Sequence, residues 1–151
     1  MFKIDIHTHI IPENLNDLTN KFVDSRFLKI EHINDKYAML KKDDKAFRKI
    51  ECNCWSYHSR IQDCKKTSVD MQVLSTIPIL FSYWSKPDEC LILSKFLNNH
   101  ISEVCKEKPN RFLGLGTIPM QNTDMALQEM DRCINDLNLP GIEIRSNINK
   151  L

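Results

Sequence analysis

The chain has 151 residues, of which 42% are hydrophobic and 27% are charged, and its formal net charge is +1. This length suits one domain with a modest core, and the balanced charge gives no global field that would point to nucleic acid or a membrane surface. No apolar run approaches the ~20 residues that a membrane helix needs, and no basic segment followed by an apolar one marks a secretory signal.

The predicted elements alternate between strand and helix. In chain order they are a strand over 3–6, three short β-like segments with polar turns over 27–50, a weak helix over 55–66, a strand over 69–77, a helix over 86–108, a strand over 111–118, a helix over 124–137 and a last strand over 141–146. Strands that alternate with helices favour an α/β fold with parallel pairing and right-handed crossovers, here with a β-rich insertion at about 14–50. No GxGxxG or GxxxxGK[ST] motif supports dinucleotide or P-loop chemistry.

The stretch KIDIHTH places two histidines at the end of the first strand. Side chains two residues apart project from the same face of a strand, so His7 and His9 can share one divalent ion, for which zinc is the commonest choice. Asp5 is expected on the same side as an outer support. The alternative for any HxH is two ordinary polar residues, but the end of the first strand of an alternating chain favours a metal site.

The sequence does not show where a third metal ligand lies, although a catalytic zinc takes about three protein ligands and a water. His32, His58 and His100 fall outside the predicted strand ends, so we interpret them as surface or packing residues. Cys52 and Cys54 could supply thiolates, but no second pair with zinc-finger spacing follows. Without an export signal, we expect all six cysteines to be reduced and the cytosol to be the compartment.

Further stretches follow KIDIHTHIIPENL in order: KDDKAFRKIECNCW, LSTIPILFSYWSKP, NRFLGLGTIPMQ and LPGIEIRSNIN. Together they resemble, over essentially all of the chain, the amidohydrolase-superfamily decarboxylases that act on 2-amino-3-carboxymuconate 6-semialdehyde. That superfamily consists of metal-dependent (β/α)8 TIM barrels, and a complete barrel takes ~250 residues. The resemblance therefore implies a partial barrel of about four strands and three helices, with residues 1–151 forming the N-terminal part of one barrel domain.

The resemblance also implies an activity and a set of site residues. The family consists of zinc-dependent, non-oxidative decarboxylases that form 2-aminomuconate 6-semialdehyde in tryptophan (kynurenine) catabolism and so limit quinolinate and NAD synthesis. His7 and His9 match the first two zinc ligands. Arg48 matches an arginine that faces a substrate carboxylate, and Lys42 matches a basic residue near the same pocket. A planar guanidinium suits a carboxylate because it binds in a bidentate manner.

The expected partners are a small-molecule dicarboxylate semialdehyde substrate and, in full-length relatives, a second subunit of a homodimer, with no nucleic acid and no membrane. The resemblance places the remaining metal ligands, a histidine and an aspartate, and the acid–base histidine beyond Leu151. We therefore assign no catalytic residue within the chain and expect it to be inactive alone. A half barrel with an unpaired edge is also expected to be marginally stable.

Three points stay open at this level. One alternative is another metal-dependent hydrolase of the amidohydrolase superfamily, such as a nuclease or an amidase. A second alternative is a non-catalytic, truncated product that associates with full-length subunits. The third open point concerns four aromatic residues, which either line a pocket or pack at the rim of the barrel: Trp55, Phe81, Tyr83 and Trp84.

Overall fold

The computed structural model describes residues 1–148; the last three residues of the predicted domain lie outside that part. Its elements are β1 (Ile4–Ile10), α1 (Asn16–Thr19), β2 (Lys29–Asn34), β3 (Tyr37–Lys42), β4 (Lys45–Glu51), α2 (Tyr57–Thr67), β5 (Met71–Thr76), α3 (Pro87–Glu107), β6 (Phe112–Gly116), α4 (Thr123–Asn135) and β7 (Gly141–Ile142). The predicted order of strands and helices is confirmed. Within the described part, no helix is both long and apolar enough to cross a membrane.

The larger sheet has four parallel strands in the order β1-β5-β6-β7. Helices α3 and α4 cover one face of this sheet, where Leu74, Ile101 and Phe112 are at most 2% exposed. Gly114 makes this close packing possible, because a Cβ atom there would lie 2.4 Å from Ile101 Cγ2. The sequence of β6 thus sets how near α3 approaches the sheet.

The predicted insertion contains α1 and a three-stranded antiparallel sheet, β2-β3-β4. Asp43 and Asp44 form the turn between β3 and β4 with φ angles of 52° and 56°. Two left-handed residues are what a tight hairpin turn of this type requires. One face of the small sheet is apolar and packs into the core through Ala38, Leu40 and Ile50, which are at most 8% exposed.

Three helices begin with residues that are typical of helix N-termini. Pro87 occupies the first turn of α3, where a missing backbone donor costs nothing. The Asn122 side chain caps α4 by accepting a hydrogen bond from Met125 N at 3.0 Å, and Ser56 caps α2 in the same manner. These caps fix the residue at which each helix begins.

Helix α4 buries a different face from the one that its apolar spacing suggests. Leu127, Met130 and Ile134 share one face and are 53%, 38% and 41% exposed. The buried face instead carries Glu129, which is 1% exposed and accepts hydrogen bonds from Arg132 and from an α3 residue, Asn98. Polar contacts therefore join α4 to α3.

The other face of the larger sheet is concave and largely uncovered. Ile4, Ile6 and Leu113 project there and are 48%, 75% and 41% exposed. Within residues 1–148, β1 and β7 each pair with only one strand. This arrangement is that of a partial barrel whose inner layer of side chains is open.

Candidate metal centre

His7 and His9 lie on the concave side of β1, whereas Thr8 and Ile10 point to the buried side. The two imidazole rings have centroids 4.9 Å apart and meet edge to face at 79°. The predicted pairing of these histidines on one strand face is therefore present. It places four ring nitrogens at the carboxyl end of the first strand, where barrel enzymes carry their sites.

A hydrogen bond to Ser75 sets the tautomer of His9. Ser75 Oγ lies 3.0 Å from His9 Nδ1 and donates its proton to Thr8 O at 3.1 Å. Since a hydroxyl has one proton to give, Ser75 accepts from His9 Nδ1. The lone pair of His9 Nε2 is then available for a metal, an outer-shell arrangement usual at histidine ligands.

Glu143 completes a cluster that sequence reasoning missed. Ligand atoms of His7, His9 and Glu143 all lie within 4.8 Å of one another. Glu143 follows β7 directly, and its backbone N donates to Gly116 O at 2.8 Å. Its Oε2 atom is buried and has no hydrogen-bond partner among residues 1–148. An orphaned carboxylate oxygen beside two imidazoles is a donor set that fits a divalent cation.

The surroundings of His9 favour its neutral form, mainly because the ring is partly buried. Burial lowers the pKa of His9 below its ordinary value of 6.5, and His7 and Arg60 act in the same direction, while the Glu143 carboxylate opposes them. A neutral imidazole is the form that binds a metal, because the protonated ring has no free lone pair. The site is thus prepared for a cation at neutral pH.

Asp5 does not support the histidines in the way that simple alternation suggests. The register of β1 on β5 shifts between Asp5 and Thr8, which marks a β-bulge. A bulge adds a residue and changes which face the next side chain occupies. Asp5 Oδ2 accepts a hydrogen bond from Gln72 Nε2 at 3.3 Å, and Asp5 Oδ1 accepts one from the backbone N of His7 at 3.4 Å. The expectation that Asp5 shares the histidine face is therefore wrong.

Arg48 and Lys42 lie on the small sheet rather than in the His7/His9/Glu143 cluster. Arg48 pairs with Leu40 across β3 and β4, and Leu40 belongs to the core-facing side of that sheet. Lys42 is two residues from Leu40 and shares that side. Arg48 is nonetheless exposed, and its guanidinium makes no hydrogen bond or ion pair within residues 1–148. Both cations therefore extend from the edge of an otherwise apolar face.

The segment that follows the small sheet is hydrogen-bonded to the end of β1 through Cys54. Ile11 N donates to Cys54 O at 2.9 Å. Burial raises the pKa of the Cys54 thiol, and the charges of Arg60 and Arg48 oppose that rise. The Arg48 charge therefore acts on Cys54, whose carbonyl oxygen is hydrogen-bonded to the first residue after β1.

The other residues that the sequence singles out include three histidines, six cysteines and four aromatic residues. His32, His58 and His100 border a separate cleft, outside the His7/His9/Glu143 cluster. All six cysteines are free thiols, as expected. Of the four aromatic residues, Trp55 is 6% exposed and borders the same cleft as these histidines. Phe81 stacks on Tyr83 with ring centroids 5.6 Å apart, and Trp84 contacts the Phe27 ring at 4.9 Å.

A curved parallel sheet with helices on one face and two histidines at the end of its first strand is part of a TIM barrel, which defines the fold class of this chain. A solved structure supports this class: 5-carboxyvanillate decarboxylase from Novosphingobium aromaticivorans, complexed with manganese and 4-hydroxy-3-methoxy-5-nitrobenzoic acid, matches 97% of this chain and 42% of that one, with a TM-score of 0.72 and 19% identity.

Curated sequences define the relationship more closely, although no protein-family model matches the chain. The chain is 47% identical over 147 residues to 2-amino-3-carboxymuconate-6-semialdehyde decarboxylase of Dictyostelium discoideum. It is 32% identical over 166 residues to the protein of that name from Caenorhabditis elegans. Each alignment covers 97% of this chain and 41% of the relative, so the chain spans about two fifths of the length of these relatives. The chain is a homologue of these decarboxylases, and the predicted resemblance is confirmed.

Proposed function

We propose that this chain forms the metal- and carboxylate-binding part of a zinc-dependent, non-oxidative decarboxylase that acts on 2-amino-3-carboxymuconate 6-semialdehyde. The observation that carries the proposal is the cluster of His7, His9 and Glu143 at one end of the curved sheet. The homology to named decarboxylases supports the reaction. The same reasoning extends to tryptophan catabolism as the pathway, the cytosol as the compartment and a homodimer as the assembly.

Two imidazoles and one carboxylate would hold the metal ion. This donor set is typical of catalytic zinc sites, which keep a further position open, and it also suits manganese, the metal in the 5-carboxyvanillate decarboxylase structure. A bound divalent ion would act as a Lewis acid on a substrate oxygen or lower the pKa of a bound water. The role of the chain's own residues is to present the two imidazoles and to neutralise part of the ion's charge with Glu143.

Arg48 and Lys42 would bind a carboxylate of the substrate. Both side chains extend from the core-facing side of the small sheet, and the segment that follows this sheet is hydrogen-bonded to Ile11, the first residue after the histidine strand. A carboxylate held by the Arg48 guanidinium would be oriented by two parallel hydrogen bonds. Among residues 1–148, only His7 and His9 of the five histidines belong to the cluster. This part of the chain therefore supplies binding groups rather than the acid–base histidine that the resemblance implies.

The first experiment measures metal binding directly. The purified chain is dialysed against zinc or manganese, and the bound ion is counted for the wild type and for the double variant His7→Ala/His9→Ala. We expect one tightly bound ion in the wild type and none in the variant. A wild-type chain that binds no ion would contradict the proposal.

The second experiment separates the three candidate functions. Carbon dioxide release from 2-amino-3-carboxymuconate 6-semialdehyde is measured beside hydrolysis of a panel of amides and phosphodiesters. Carbon dioxide release without hydrolysis supports the decarboxylase, and hydrolysis alone would assign the chain to the hydrolases. Because the chain alone is expected to be inactive, the non-catalytic alternative is distinguished by metal binding: co-purification with a full-length homologue, without bound zinc or manganese in the chain, would support it.

A further inference from the structure

Arg60 contacts the backbone of a proposed metal ligand from the opposite side of the sheet. It lies on α2, is 9% exposed, and donates from Nη2 to His9 O at 2.5 Å. Its Nη1 donates to Gln72 Oε1 at 3.4 Å. The guanidinium thus lies behind the strand whose front face carries His7 and His9.

This buried cation has no acidic partner at contact distance. Within residues 1–148, no carboxylate oxygen lies within 4.0 Å of the Arg60 guanidinium, and its Nε is buried without a hydrogen-bond partner. Asp5 and Asp63 act on it only at longer range. Burying an unpaired charge destabilises a fold. Packing alone would be served as well by an apolar side chain, so the arginine must contribute through its hydrogen bonds.

The hydrogen bonds of Arg60 span the irregular part of β1. The bulge lies between Asp5 and Thr8 and interrupts the ladder to β5. Arg60 binds His9 O on one side of the bulge, and through Gln72 it reaches Asp5 on the other side. A bulge leaves a residue unpaired and bends the strand. The hydrogen bonds that connect Arg60, Gln72 and Asp5 therefore restrain the segment that sets the orientation of both histidines.

We propose that Arg60 is a positioning residue of the metal site, holding the bulged His7–His9 segment in the conformation in which both imidazoles reach one ion. The inference rests on the proposed function, since it assigns Arg60 a role toward the same ion. Outer-shell groups that fix a ligand are worth roughly 10–100-fold in metal affinity. Arg60 does not contact the imidazole ring of His9; it binds the backbone carbonyl of that residue.

Arg111 provides a matched control. Its Nη2 also donates to a backbone carbonyl, Val69 O, at 3.0 Å, but Val69 precedes β5 and is no part of the cluster. The variants Arg60→Lys, Arg60→Gln and Arg111→Gln are compared in three measurements on the full chain. These are zinc affinity by competition with a chromophoric chelator, the ligand-field spectrum of the Co²⁺-loaded chain, and the thermal midpoint of the metal-free chain.

We expect Arg60→Lys and Arg60→Gln to weaken zinc binding at least roughly tenfold and to change the Co²⁺ spectrum. Arg111→Gln should lower the thermal midpoint and leave zinc affinity within about twofold of the wild type, because its carbonyl partner holds no ligand. A merely structural role for Arg60 would lower the midpoint without changing the spectrum of the folded, loaded chain.

Folded Arg60 variants with wild-type zinc affinity and an unchanged Co²⁺ spectrum would overturn the inference. Should the Arg60 variants not fold, Gln72→Met breaks the link to Asp5 while keeping the guanidinium, and it is expected to weaken zinc binding as well. An unchanged affinity in Gln72→Met would then also count against the proposal. Failure of the wild type itself to bind zinc would instead contradict the proposed function.

Discussion

His9 and Glu143 come from opposite edges of the four-stranded sheet, yet their ligand atoms lie within 4.8 Å of each other. In a flat sheet, strands in the first and fourth positions would be ~14 Å apart, at ~4.8 Å between neighbours. The sheet must therefore curve strongly at its carboxyl end, as a barrel wall does. This curvature brings together three side chains that could bind one metal ion.

Removing the Glu143 charge tests the third ligand. We expect Glu143→Gln to weaken zinc binding at least tenfold, equivalent to about 1.4 kcal/mol, because a neutral amide neutralises none of the ion's charge. Chelator competition measures the change. The control is Glu103→Gln, an exposed glutamate on α3 that is no part of the cluster. Equal zinc affinity in the two variants would show that Glu143 does not bind the metal.

Arg48 should determine affinity for a carboxylate ligand. A stable probe is muconate, a planar six-carbon dicarboxylate, titrated into the zinc-loaded chain by calorimetry. We expect Arg48→Gln to weaken binding roughly tenfold or more, since hydrogen bonds to charged groups contribute about 1.5–3 kcal/mol. Lys49→Gln changes the same charge on the opposite face of β4, where Lys49 lies over the Tyr37 ring. If Lys49→Gln weakens muconate binding as much as Arg48→Gln, the effect is one of net charge alone.

The stability of the chain should depend on pH through His100. Burial lowers the pKa of His100 from 6.5 to about 4. Between these values the unfolded chain binds a proton that the folded chain does not, so the free energy of unfolding falls as pH drops from about 6.5 to about 4. The loss amounts to about 3 kcal/mol at most, and it stops once both states are protonated.

Denaturant unfolding at several pH values checks this dependence. We expect His100→Gln to flatten the curve between pH 4 and 6.5, because glutamine stays neutral throughout. His58 is exposed, so His58→Gln should leave the slope unchanged. A slope that His100→Gln does not alter would show that other groups titrate on unfolding.

Packing between β6 and α3 should be sensitive to a single methyl group. In Gly114→Ala the new Cβ would lie 2.4 Å from Ile101 Cγ2 and 2.9 Å from Leu139 Cδ2. We expect the free energy of unfolding to fall by about 1–3 kcal/mol. In Gly141→Ala the nearest atom is the end of the Leu115 side chain at 3.2 Å, and a smaller loss is expected. Equal losses in the two variants would contradict this account.

Much of the architecture follows from local patterns in the sequence. Alternating apolar segments and helical spacings predict all four strands of the parallel sheet, and KIDIHTH predicts that His7 and His9 share a face. These predictions succeed because period and capping are properties of neighbouring residues. The three-stranded insertion is equally local, since Asp43 and Asp44 specify its second turn.

The site beyond the two histidines depends on contacts between distant residues. Glu143 occurs in GIEIRS as one polar residue in a strand-like run, and only the curvature of the sheet brings it to β1. Arg60 belongs to a helix of weak amphipathic pattern, so nothing local indicates that it is buried. Alternation predicts the wrong face for Asp5, because it does not reveal the bulge between Asp5 and Thr8. The Leu127 face of α4 is apolar and yet exposed, since periodicity shows a face but not what covers it.

The position of Glu143 has a kinetic consequence. His7 lies near the start of the chain and Glu143 follows β7, a strand of only two residues near its end. Contacts between residues so far apart in sequence carry a large loop-closure cost and form slowly. The three ligands should therefore come together only after β5 and β6 have paired. A bound ion would then link β1 to the segment after β7, and the rate of its release would report how often β7 detaches from β6.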